Sequence, residues 1–182
     1  MFGKSRMERL DVQVTYLQMF NVPTPPDPPR EGVTVTRALS PTPSFYRYLY
    51  TAVGARWMWY ERRKLNDAEL KHIIHDSRLE VWVLYVDGVP AGYVEFDRCH
   101  PQEVEIAYFG LIGDFIGLGH GHYFVRWALH HAWRDGVRRV WLHTCSLDHP
   151  RALGVYQGAG LIAYKRETVR IVDPRELFAD LG

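Results

Sequence analysis

The sequence predicts a mixed α/β domain, and three features carry that prediction. Short apolar or alternating runs recur along the chain, stretches with helical spacing separate them, and near the centre an apolar run leads through "FIGLGHGH" into one such stretch. Bulk properties agree: 182 residues, 47% of them hydrophobic, with a formal net charge of +1, suit one domain with a sizeable core.

The start, "MFGKSRMERL", has no apolar run of the signal-peptide kind, and no stretch reaches the roughly 18 apolar residues of a membrane span. A cytoplasmic protein with no membrane partner is therefore expected. "DVQVTYLQMF" alternates well enough to add an extra strand, or else belongs to a mobile extension. "NVPTPPDPPR" has five prolines in ten residues, which favours a stiff, extended connector. Residues 1–30 thus read as an N-terminal extension and 31–182 as the main domain.

Within that domain "GVTVTRAL" alternates and forms the first core strand. Ser44 to Ile74 reads as helical, broken around Gly54. "LEVWVLYVDGVPAGYVEFDR" is a hairpin turning at Asp87 and Gly88. "EVEIAYFGLI" becomes apolar on both faces and is expected at the centre of the sheet. In "HYFVRWALHHAWRDG", His122, Arg126, His130 and Arg134 form a polar helical stripe, opposite Phe124, Trp127, Ala128 and Ala132, and Gly136 supplies the stop. "VRRVWLHTCS" is a strand; "DHPRALGVYQGAG" is a short helix with Pro150 in its first turn and Gly160 past its end; "LIAYKRETVRIV" closes the sheet.

The near-neutral charge argues against a nucleic-acid partner, which would call for a basic excess. Cys99 and Cys145 have no metal or disulfide-framework spacing and read as buried, reduced thiols. Nine histidines invite a metal, but a helical ligand pair starting at His122 would need a histidine where Arg126 stands, so no metal is expected.

Gly117, Gly119 and Gly121 allow tight turning and close approach of a ligand to the backbone. A glycine-rich turn that opens a helix leaves N–H groups unpaired at the positive end of the helix dipole, where phosphates bind. A P-loop would need Lys and Ser/Thr where His122 and Tyr123 stand, and the dinucleotide fingerprint needs one more residue before its third glycine.

Together, "EIAYFGLIGDFIGLGHG" and "HPRALGVYQGAGL" resemble the two signature regions of the GNAT N-acetyltransferase superfamily, a strand, R-G-x-G-x-G/A, a helix, a strand, and N-x-x-A-x-x-x-Y-x-x-x-G-F. Gly117, Gly119, Gly121, Ala152, Tyr156 and Gly160 occupy the corresponding places. The resemblance spans roughly Val33 to Arg170 in element order and is specific over about Glu103 to Leu161. It implies a central mixed, mostly antiparallel sheet of about six or seven strands flanked by about four helices, with 31–182 as an acetyltransferase domain. It further implies acetyl-CoA as acyl donor, its pyrophosphate on amides of Ile116, Gly117, Leu118, Gly119, His120, Gly121 and His122. The pantetheine arm would pair with backbone at Phe109 and Leu111, and His149 stands at a usual pantetheine contact, in place of the frequent Asn.

An amine with a pKa near 10.4 must lose a proton before attacking a thioester, at a cost of about 4.6 kcal/mol at pH 7. By resemblance Glu105 is the base, with Glu103 as substitute, and Tyr156 protonates or positions the departing thiol. Ile116 and Leu118 fill places where the family is often cationic, so His120 and His122 are expected to supply part of the charge, with CoA affinity falling above about pH 6.5. Arg56, Trp57, Trp59 and Tyr60 fall in the region that, by the same resemblance, forms the acceptor wall. The expected activity is acetyl transfer to a primary amine in a ternary complex, the amine being a small molecule or, second, a peptide N-terminus. The competing expectation is a module that senses acyl-CoA without turnover. Surface aromatics and the N-terminal strand would suit a homodimer, which nothing in the sequence requires.

Overall fold

The computed structural model describes residues 8–134 and 136–177; residues 1–7 of the expected extension and 178–182 of the expected domain lie outside the described residues. Among the described residues seven strands form one sheet: β1 (Arg9–Met19), β2 (Val33–Arg37), β3 (Leu79–Val86), β4 (Val89–Asp97), β5 (Glu103–Leu111), β6 (Arg139–Cys145) and β7 (Ile162–Val172). Their order is β2-β3-β4-β5-β6-β1-β7, and every neighbouring pair is antiparallel except β5 and β6. Five described helices accompany it: α1 (Pro43–Gly54), α2 (Asp67–Ile74), α3 (His120–Ala132), α4 (Ala152–Gly158) and the short α5 (Pro174–Leu177). This is the mixed α/β architecture expected. No described helix is long and apolar enough to cross a membrane.

Two apolar clusters sandwich the sheet. On one face Phe124, Val125, Ala128 and Leu129 of α3 and Tyr156 of α4 pack on Val104, Ile106, Val140 and Leu142. On the other, Tyr46, Leu49, Tyr50 and Val53 of α1 and Leu70 and Ile74 of α2 cover Val81, Val83 and Tyr93. The β3–β4 hairpin turns where expected, because Asp87 (φ 50°) and Gly88 (φ 80°) supply the two positive φ values of a tight turn that matches strand twist.

Several local expectations need adjustment. The stretch from Ser44 to Ile74 is two helices separated by single 3-10 turns at Ala55–Trp57 and Arg62–Lys64. At its break, the Trp59 ring lies where a Cβ on Gly54 would stand, 2.2 Å from its nearest atom. The long helix starts at His120, two residues early, because Gly119 (φ 90°) caps it. Pro150 precedes α4, whose N-cap is Arg151. Cys99 is exposed rather than buried, since it sits just past the end of β4.

The strand expected in "DVQVTYLQMF" is β1, inserted between β6 and β7 and paired with both. The chain must then cross to β2 at the far edge, five strand spacings away, or about 24 Å. Residues 20–32 make that crossing over α3: His130 Nδ1 lies 3.1 Å from the Pro23 carbonyl oxygen, and Arg126 Nη2 donates to Thr24 Oγ1 at 3.4 Å. An extended proline-rich segment, rising about 3.1 Å per residue, has ample length for it.

Candidate active site

β5 leaves its partner partway. Its parallel pairing with β6 covers Glu103 to Glu105 only, opposite Arg139 to Trp141, after which the strands diverge. The edge of β5 facing β6 is then free of a strand partner along residues 106–111, which is what an extended, amide-bearing ligand needs. A register shift against β4, between Glu95 and Phe96, places an extra residue at Ala107. The bulge swaps the faces of the residues beyond it: Val104 and Ile106 face α3, Tyr108 packs toward α1, and Phe109 returns to the α3 side, 5.0 Å from the Phe124 ring.

A cavity of about 650 Å³ occupies the gap. It begins at Ile116, Gly117, Gly119, Gly121 and His122, passes Phe109, Leu111 and Tyr156, and reaches His143, Cys145, Val12, Val14 and Val169 on the opposite face. It is a passage through the sheet. At its mouth Gly117 (φ 87°) and Gly119 (φ 90°) hold left-handed conformations that residues with a Cβ rarely adopt, and α3 then opens with no side-chain cap. Its first N–H groups are therefore available to an anion, with the helix dipole behind them.

The far wall comes from the segment between α1 and α2. Trp57, Trp59, Tyr60 and Glu61 line the cavity. Trp59 Nε1 donates to Asp148 Oδ1 at 3.3 Å, and the other oxygen of Asp148 accepts from Thr144 Oγ1 and the Cys145 N–H, both at 2.8 Å. This joins the wall to the loop after β6. Arg62 anchors the wall's other end: its Nη2 donates at 2.6 Å to Glu95, fully buried on β4, which also accepts from the Tyr46 hydroxyl. Burial raises the Glu95 pKa, and the Arg62 guanidinium is the main influence opposing it.

The titratable groups divide by position. Tyr156 is buried, which pushes its hydroxyl well above the ordinary tyrosine value, with Asp148 adding to the rise. Cys145 lines the cavity, but burial lifts its thiol to about 11, leaving little thiolate at neutral pH. Glu105 is not on the cavity wall; His143 is, and its Nδ1 lies 3.4 Å from Glu105 Oε1. Contact with Glu105 raises the His143 pKa against the opposing effect of burial. Glu103 is paired with Arg139 at 3.1 Å.

Phe109, Leu111, Ile116, Gly117, Gly119, Gly121, His122, His149, Trp57, Trp59, Tyr60 and Tyr156 are thus brought to one cavity. Leu118, His120, Arg56 and Glu105 are not. Leu118 is 55% exposed because the turn aims it outward; His120 faces a separate cavity; Arg56 packs beside Gly113. His149 lies edge-on to Trp57, ring centroids 5.1 Å apart, and its Nδ1 accepts from the Arg151 N–H at 3.0 Å. Sequence reasoning passed over His143 and Glu61 as site residues. His143 could have been found from strand parity, two residues beyond the partner of Glu105 on the same face, whereas Glu61 sits in an irregular segment with no period to read.

A model of the acetyltransferase (GNAT) family matches residues 43–161. The chain belongs to the GNAT family. The matched span runs from the start of α1 to the residue before β7, so it contains the glycine turn and leaves out β1, β2 and the connector. Comparison with curated protein sequences found no match. Among solved structures, a GCN5-related N-acetyltransferase from Sphaerobacter thermophilus has a TM-score of 0.65 at 18% identity, covering 91% of this chain and 51% of that one. A second from Kribbella flavida gives 0.58 at 17%, covering 94% and 62%. Spermidine N-acetyltransferase from Vibrio cholerae, solved with CoA and spermine, gives 0.61 at 15%, covering 81% and 99%. The chain spans about half of the Sphaerobacter protein and under two thirds of the Kribbella one. At these identities the likeness is one of fold, and it places this GNAT sheet in a common architecture.

Proposed function

We propose that the protein transfers an acetyl group from acetyl-CoA to a primary amine by direct attack, with donor and acceptor bound together. The observation that carries this reading is the passage through the sheet between β5 and β6, lined from the α3 mouth to the residues of the far face. Donor and acceptor can enter from opposite ends and meet where the strands part. The residues present fit the donor: turn amides for its diphosphate, the unpaired edge of β5 for its pantetheine amides, and Phe109 and Leu111 along its path.

His143, held by Glu105 through Nδ1, has Nε2 left to take a proton from the acceptor ammonium, so Glu105 acts through the imidazole instead of touching the amine. Tyr156 hydrogen-bonds the departing sulfur; with its pKa raised by burial it stays protonated as a donor. Cys145, poor in thiolate, supports direct transfer over an acyl-enzyme. At the acceptor end, Val12, Val14 and Val169 form an aliphatic floor beside Trp57 and Tyr60, and the exposed carboxylate of Glu61, oriented by the Tyr108 hydroxyl at 2.6 Å, faces the same space. That combination suits a small ammonium carried on an apolar body.

The test is release of CoA thiol across a panel of arylalkyl amines, branched alkyl amines, polyamines and amino acids. Acceptor-dependent release, strongest for the apolar amines, is expected. CoA binding with no release for any acceptor would replace the enzyme with a sensing module.

A further inference from the structure

The connector encloses a second cavity, of about 230 Å³, against the outer side of the glycine turn. Pro26, Pro29, Arg30, His120, Tyr123 and Arg126 wall it, and it shares Gly119 and His122 with the passage through the sheet. A ligand seated on the turn therefore reaches both. Arg30 closes in on that shared point: its Nη2 stands 3.4 Å from where a Cβ on Gly119 would be. Among the described residues its guanidinium has no hydrogen-bond or ion-pair partner. Arg126 makes one long contact, to Thr24 Oγ1. Among the described residues Asp27 is the lone carboxylate on the wall, and neither arginine pairs with it. Two guanidiniums and two imidazoles against one carboxylate describe a place short of negative charge.

We propose that this cavity holds the 3′-phosphate of the acyl donor, with Arg30 and Arg126 as its phosphate ligands. The proposal rests on the acyl-CoA reading above. The turn amides already serve the diphosphate, and the pantetheine side of the ligand leads into the larger passage. The next anionic group in the other direction is the phosphate on the ribose, and the second cavity adjoins the turn at Gly119 and His122. Guanidinium suits it, since its fork of donors matches phosphate oxygens at close range. The connector thereby restores the positive charge missing at Ile116 and Leu118, from a segment outside the span the family model matches.

Calorimetric titration with CoA and with dephospho-CoA, which lacks only the 3′-phosphate, tests this. Wild type is expected to bind CoA about tenfold or more tightly than dephospho-CoA, as befits charge-assisted contacts. Arg30→Ala should weaken CoA by about tenfold and leave dephospho-CoA within about twofold, with an unchanged melting temperature showing the connector in place; Arg30→Lys should recover part of the loss. Equal wild-type affinity for the two ligands, an equal loss of both in Arg30→Ala, or no loss of CoA would each overturn the proposal. Failure of wild type to bind either ligand would remove the acyl-CoA reading itself, a different outcome from equal binding.

Discussion

Tyr156 and His143 meet the same cavity with opposite consequences of environment. Burial holds the Tyr156 hydroxyl protonated, so in the proposed reaction it donates a hydrogen bond to the leaving sulfur, and complete transfer is further uphill than an ordinary tyrosine would find it. Tyr156→Phe should lower kcat by about a hundredfold with CoA affinity little changed, measured by steady-state kinetics and calorimetry. At His143 the Glu105 carboxylate favours the protonated ring, raising the pKa above 6.5. In the proposed reaction the neutral ring is the base, so kcat/KM should rise as pH increases through that raised value. Glu105→Gln should move this limb to lower pH and lower the plateau, while His143→Gln should remove the limb; an unmoved limb in Glu105→Gln would separate the pair. The sign for stability is the reverse. The contact with Glu105 stabilises the fold fully below the unfolded pKa and is lost as pH rises through the folded one.

Among elements, the wall between α1 and α2 depends on a buried pair. Arg62 reaches from an irregular segment to Glu95 in the middle of β4, and removing the guanidinium would leave the carboxylate buried without a countercharge, held by the Tyr46 hydroxyl. Arg62→Met should destabilise the protein by about 3–5 kcal/mol in denaturant unfolding, and displace Trp57 and Tyr60 from the acceptor end. The hairpin at Asp87 and Gly88 was legible because its turn chemistry is local, as was the glycine turn ahead of α3. The bulge at Ala107 was not, since it is a mismatch of register with β4 and has no signature within β5 itself. Arg56 misled for a related reason: its aromatic neighbours in sequence turn inward through Gly54 and Trp59, while the 3-10 turn points Arg56 away.

Across the molecule, β1 pairs with strands from the far end of the chain, and the connector returns over α3 to start the opposite edge. In the proposed reading, stability and donor binding are linked through one mouth. CoA at about 100 times its Kd should add about 2.7 kcal/mol to the unfolding free energy, seen as a concentration-dependent rise in melting temperature. By itself the sequence determined the mixed α/β class, the position of most elements and the glycine turn that opens α3, because alternation, helical period and glycine conformation are properties of neighbouring residues. Only the tertiary structure decided that Glu105 meets the cavity through His143, that Glu61 joins the cavity wall, and that Arg30 stands beside Gly119. Those juxtapositions are made by strand pairing and chain crossing between distant segments, and no local pattern encodes which distant residue will arrive.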